Sequence, residues 1–149
     1  MEEAREEGGD SWRNEGEAGV VMAHVARLIA AGVRPQDIGV ITPYSAQVGR
    51  LRELRPEALA ATLEISTVDG FQGREKEAVV ISAVRCSPAG EVGFLSDVRR
   101  MNVAVTRARR HAALVCDSDT LRKDKFLGRL VAHFEERGEY ASAGGYAGG

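Results

Sequence analysis

The sequence has no Gly-x-x-x-x-Gly-Lys-Ser/Thr loop and no apolar strand ending in an acidic pair, so nothing in its 149 residues cradles a β-phosphate or holds Mg²⁺ unaided. It has no Ser-His-Asp arrangement that would serve nucleophilic catalysis. Its two cysteines, Cys86 and Cys116, sit in apolar strand-like runs and lack metal-ligand spacing. That argues against a zinc site or a disulfide and for buried thiols in a reducing compartment. No apolar run is long enough to span a bilayer, and no secretory pattern opens the chain. These absences point away from a membrane and toward the cell interior, nucleus or cytoplasm. A net charge of −2 gives no global attraction to nucleic acid.

Charge is unevenly spread, however. Acidic residues crowd the first seventeen positions, whereas Arg99 to Arg110 is basic. Asp97 to Arg110 has no internal Gly or Pro, and Val98, Met101, Val105 and Ala108 recur at helical spacing, so a helix is expected there, capped by Ser96 or Asp97. Arg100, Val103, Arg107 and Arg110 form a second stripe, and Asn102 and Thr106 lie four apart at its edge. Such a face either binds an anion or is a solvated surface of snorkelling arginines.

The remainder reads as strands alternating with helices. Met1 to Asn14 is charged and glycine-containing, and reads as a flexible lead-in. A helix beginning at Glu15 or Glu17 carries Val20, Val21, His24, Val25, Leu28 and Ile29, and Gly32 terminates it. His24 reads as a core-edge histidine with no second ligand. Ile38 to Ile41 is a buried strand, followed by a cap at Thr42 to Ser45 and a helix bearing Val48, Leu51 and Leu54. Leu63 to Val68 alternates as a strand. Ala78 to Val84 and Ala112 to Cys116 are further buried strands, separated by a loop over Ser87 to Gly90 and the basic helix. Phe126, Leu127, Leu130, Val131 and Phe134 mark a closing helix before a glycine-rich tail. The pattern predicts an α/β fold with a mostly parallel sheet, whose ligands meet the loops at the carboxyl ends of the strands.

Three clusters carry candidate chemistry. Tyr44 and Gln47 follow a strand end, where an exposed tyrosine can stack on a base and a glutamine can read a polar edge; the alternative is a capping turn with a packed ring. Thr67, Asp69, Gln72, Gly73, Arg74 and Glu75 are denser. Glycines there permit close backbone approach to phosphate, Arg74 binds phosphate, and Glu75 orders a water or a magnesium-bound ligand. The bland alternative pairs Glu75 with Arg74 or Lys76 in an ordinary polar loop. Arg107 offers the planar, permanently charged fork suited to charge building on a γ-phosphate.

Read together, Ile41 to Gln47, Ser66 to Glu77 and Arg99 to Arg109 resemble motifs IV, V and VI of superfamily 1 helicases, in the Upf1-like (DNA2/NAM7) branch. The resemblance covers about residues 14 to 138, leaving 1–13 as a flexible acidic segment and 139–149 as a flexible tail. It implies a RecA-like fold of the P-loop NTPase type, forming the second, carboxyl-terminal domain of an ATP-dependent 5′-to-3′ helicase on single-stranded DNA or RNA. By resemblance, ATP with Mg²⁺ lies between this domain and a first RecA-like domain, the partner that completes the site. Glu75 and Arg107 then face the γ-phosphate, Arg107 as arginine finger. Gln72 and Gly73 shape the motif V loop, with Arg74, Tyr44 and Gln47 on the nucleotide side. Thr67, Asn102 and Thr106 belong to the nucleic-acid side. Asn14 and Glu17 resemble the polar pair that opens this domain in relatives. Arg50, the arginine nearest Gln47, is not assigned a phosphate role. The chain by itself is expected to be catalytically inactive, and a non-catalytic nucleic-acid or protein-binding module is the alternative reading.

Overall fold

The computed structural model describes residues 4–5, 12–71, 75–84, 98–116, 121–122 and 124–137. Two short strands, β1 (Ala4–Arg5) and β2 (Trp12–Arg13), pair antiparallel, so the lead-in is not uniformly without structure as expected. Helix α1 (Glu15–Ala30) follows, with Asn14 as N-cap accepting from Glu17 N at 3.0 Å. It ends where Gly32 takes φ 104° and Val33 N reaches back to Leu28 O, the termination the glycine predicts.

Four strands, β3 (Ile38–Thr42), β4 (Glu64–Thr67), β5 (Lys76–Ser82) and β6 (Ala108–Val115), form an all-parallel sheet in the order β4-β3-β5-β6. Strands β3, β4 and β5 bury side chains on both faces, whereas β6 is half-buried to exposed throughout, so the expectation of a buried strand over Ala112 to Cys116 is corrected for this edge strand. Ile38, Val40, Ala78 and Val80 pack under α1 and α2 (Ser45–Leu54), whereas Ile41, Val79 and Ile81 pack against α3 (Val98–Thr106) and α4 (Lys125–Arg137). The result is a RecA-like α/β domain with helices on both faces. Edge strand β4 is blunted by α2, whose Arg52 and Arg55 donate to the carbonyls of Ile65 and Leu63. No helix among the described residues is long and apolar enough to cross a membrane.

The expected helix over Asp97 to Arg110 is corrected at its carboxyl end. It stops at Thr106, and Ala108 already pairs with Lys76 as the start of β6. Backbone donors and acceptors of 108–111 find partners in β5, a long-range gain that helical spacing cannot register. Three donors close the helix: Thr106 Oγ1 and Arg107 Nε both bond Val103 O, and Arg107 N bonds Ala104 O. The stripe of Arg100, Arg107 and Arg110 on one helix face therefore does not form. Pairing of β5 and β6 also carries a bulge. Lys76 opposes Ala108 and Ala78 opposes His111, so Arg109 and Arg110 together face the single residue Glu77.

Candidate functional site

The strand directions sort the expected site residues onto two edges. Tyr44, Gln47 and Thr67 lie at the carboxyl ends of β3 and β4. Glu75 and Arg107 precede β5 and β6, at the amino ends. The seven residues of β5 separate the edges, about 20 Å of strand rise, so one γ-phosphate does not meet both groups. The candidate residues therefore do not all lie at the carboxyl ends of the strands.

At the carboxyl edge, side chains expected to be available are buried. Tyr44 is 2% exposed, which decides against an exposed stacking ring and for the packed alternative. Gln47 is fully buried, and its carboxamide brackets one residue: Oε1 accepts from Asn14 N at 2.9 Å, and Nε2 donates to Asn14 O at 3.2 Å and to Ser82 Oγ at 3.1 Å. Asn14 Nδ2 donates to Val84 O at 3.0 Å. Glu17 Oε1 accepts from Ser82 Oγ at 2.6 Å and from Val84 N at 2.7 Å. An Asn-x-x-Glu sequence ordinarily closes a capping box, with the glutamate reaching back to the cap N–H. Here Gln47 takes that N–H and Glu17 turns inward, holding Val84 at φ 72°, a conformation a β-branched residue adopts only when its surroundings impose it. Sequence reading paired Asn14 with Glu17 by resemblance but missed Gln47, Ser82 and Val84 as their partners. The separations of 33 to 70 residues leave no local signal.

The turn after β4 is built on Thr67, whose Oγ1 accepts from Gly70 N and whose carbonyl accepts from Phe71 N, both at 3.0 Å. Phe71 lays its ring on Gly39, where a Cβ would meet ring carbons at 2.8 and 2.9 Å. Gln72, Gly73 and Arg74 lie outside the described residues, as do the expected loop over Ser87 to Gly90 and Cys86.

At the amino edge, Lys76 N donates to Arg107 O at 2.8 Å, which places Glu75 and Arg107 side by side. Of the local partners considered for Glu75 from sequence, Arg74 lies outside the described residues, and Lys76 instead approaches Glu64 at 3.8 Å. Glu75 Oε2 lies 3.4 Å from Arg109 Nε, and Arg109 Nη1 lies 3.7 Å from Glu77 Oε1. Arg110 Nε meets Glu77 Oε2 at 3.1 Å. Thr106 is exposed at this same edge, while Asn102 is on α3 with its side chain outside the described set. Arg50 ties α2 to α1 through Glu15 and also meets Glu53 at 2.9 Å, which leaves it in a structural role.

One contact was invisible from sequence. His24 on α1 and His111 on β6 set their Nε2 atoms 3.1 Å apart. Their rings align tip to tip, with centroids 5.3 Å apart and planes 21° apart. Burial, then the His111 charge, then Arg27, hold the His24 imidazole below its ordinary value of 6.5.

A family model described as an AAA domain matches residues 1–119. The chain is 51% identical over 145 residues to the DNA-binding protein SMUBP-2 of Rattus norvegicus, covering 95% of this chain and 14% of that protein. It is 44% identical over 128 residues to the DNA polymerase alpha-associated DNA helicase A of Schizosaccharomyces pombe, covering 85% of this chain and 19% of the relative. It is 36% identical over 135 residues to the Drosophila melanogaster homolog of regulator of nonsense transcripts 1, covering 87% of this chain and 11% of the relative. The chain thus spans under a fifth of the length of each of these relatives.

Proposed function

The chain belongs to the Upf1-like branch of superfamily 1 helicases, and from that premise we propose that it acts as the second RecA-like half of an ATP-dependent 5′-to-3′ DNA or RNA helicase. The observation that carries the reading is the bond from Lys76 N to Arg107 O, which joins the motif V and motif VI segments at one sheet edge. The Arg107 guanidinium stands at that edge, a donor suited to the terminal phosphate of ATP, beside the Glu75 carboxylate, which Arg109 meets. The edge is not suited to Mg²⁺ on its own: among the described residues no three acidic, histidine or cysteine side chains converge. Mg²⁺ and the β-phosphate are therefore assigned to a first RecA-like domain.

In this reading Arg107 is the finger that meets charge developing on the γ-phosphate, and Glu75 orders the attacking water. ATP supplies the phosphoanhydride bond whose cleavage drives the cycle. Arg107 rests its Nε on Val103 O at 3.3 Å, a bond to a neutral acceptor of a kind that contributes about 1 kcal/mol. Gln72, Gly73 and Arg74 keep their nucleotide-side roles by resemblance alone. Tyr44 and Gln47 are reassigned from nucleotide contact to holding the carboxyl edge, because both are buried. Thr67 remains the candidate for a nucleic-acid phosphate, acting in the nucleus or cytoplasm. For the alternative, a non-catalytic nucleic-acid or protein-binding module, Arg109 and Arg110 offer less support, since they face Glu75 and Glu77.

The test is ATP turnover. The 149-residue chain is expected to give background hydrolysis with or without single-stranded nucleic acid. Fusion to a first RecA-like domain from a family member is expected to restore nucleic-acid-stimulated turnover. Arg107→Ala in the fusion is expected to lower kcat on the order of 10³-fold with an unchanged circular dichroism spectrum. Strong turnover by the chain alone, or an Arg107→Ala fusion as active as its parent, overturns the proposal.

A further inference from the structure

The bulge between β5 and β6 re-aims one arginine. In regular pairing, successive residues of a strand point to opposite faces, so Arg109 and Arg110 would diverge. The extra residue on β6 instead sets both opposite Glu77. Arg110 takes Glu77 at 3.1 Å, the shorter contact. Arg109 keeps only a 3.7 Å approach to Glu77 and reaches past it to Glu75 at 3.4 Å.

These contacts contribute little to stability. Arg109 is 58% exposed and Glu75 55% exposed, and ion pairs in such surroundings are screened by solvent. Bulges near sites commonly turn a side chain toward its task at the expense of regular pairing. The carboxylate has a problem that Arg109 solves: next to a γ-phosphate, Glu75 meets like charge, and a bridging guanidinium offsets that charge while restricting where the carboxylate points.

We propose that Arg109 is a positioning residue, held by the β5–β6 bulge between Glu75 and Glu77, that orients Glu75 at the amino edge for phosphate chemistry. The proposal rests on the helicase reading above. Arg109 acts through Glu75 and does not itself bind ATP or nucleic acid. Arg110 completes the device by occupying Glu77, which leaves Arg109 nearer to Glu75.

The experiment is a double-mutant cycle in the fused two-domain protein, measuring kcat, the KM for ATP and single-strand affinity. Arg109→Ala is expected to lower kcat about tenfold, a coupling typical of contacting charged groups. KM for ATP and the Kd for single strands stay within about twofold of the parent, because the residue contacts neither ligand. In a Glu75→Gln background the same substitution changes kcat by less than about twofold, since its target has lost its charge. Equal losses in both backgrounds would falsify the proposal, as would an unchanged kcat in the parent background. A rise in KM or Kd with kcat preserved overturns it in favour of direct phosphate binding. Arg107→Ala in the same fusion separates the two levels. If that variant keeps its activity, the helicase reading fails. If it loses activity while the cycle shows no coupling, only the role of Arg109 fails.

Discussion

Gln47 shows how far one side chain's role depends on its neighbours. From sequence it is a glutamine after a strand end, free to read a ligand. In the fold it is the buried bracket on both the N–H and the carbonyl of Asn14, with a third bond to Ser82. Removing one partner of a buried hydrogen bond leaves the other desolvated and unsatisfied, at about 1–3 kcal/mol per group. Gln47→Leu, near in volume but without polar atoms, is expected to destabilise the domain by roughly 2–4 kcal/mol. The readout is the urea midpoint at unchanged m-value. A loss below about 0.5 kcal/mol would show that the bracket is not holding the carboxyl edge. Tyr44 is a simpler lesson: the residue is only 2% exposed, a burial that no two-residue pattern encodes.

At the scale of elements, the boundary between α3 and β6 and the pairing of α1 with β6 were decided by partners remote in sequence. Helical spacing correctly placed Met101 in the core but ran on through Arg110, because Arg107 to Arg110 has no breaker to interrupt it. His24 and His111 join α1 to β6 through a contact that needs a single proton between the two Nε2 atoms. His24 is harder to protonate in the fold than in the unfolded chain. Its contribution to stability is therefore complete above about pH 6.5 and is lost as pH falls through the lowered folded value. Melting temperatures between pH 8 and 5 are expected to fall further for the parent than for His24→Gln, while carboxylate titration affects both alike. Parallel curves for the two proteins would remove His24 from the acid response.

For the whole molecule, the contact between Phe71, just after β4, and Gly39 in β3 ties a turn at the carboxyl edge to the middle of the sheet. Gly39 is needed for this contact because an added Cβ would stand 2.8 Å from the ring. Gly39→Ala is expected to cost about 1–3 kcal/mol through overpacking, and Phe71→Leu in the same chain to recover part of that loss. Denaturation of the four-member cycle measures it. Additive losses would mean that ring and glycine do not meet.

The order along the chain and type of the main strands, the helix end at Gly32, the closing helix over Phe126 to Phe134, and family membership were legible in residue patterns and motif order, because they depend on local periodicity, turn chemistry and short contiguous runs. The tertiary structure alone decided that candidate residues occupy two opposite edges. It alone tied Gln47 to Asn14, stopped α3 at Thr106, and set Arg109 and Arg110 against Glu77. The physical reason is common to all four. Parallel strands pair residues dozens of positions apart, and strand direction, register and a one-residue bulge decide which end of the sheet a side chain reaches.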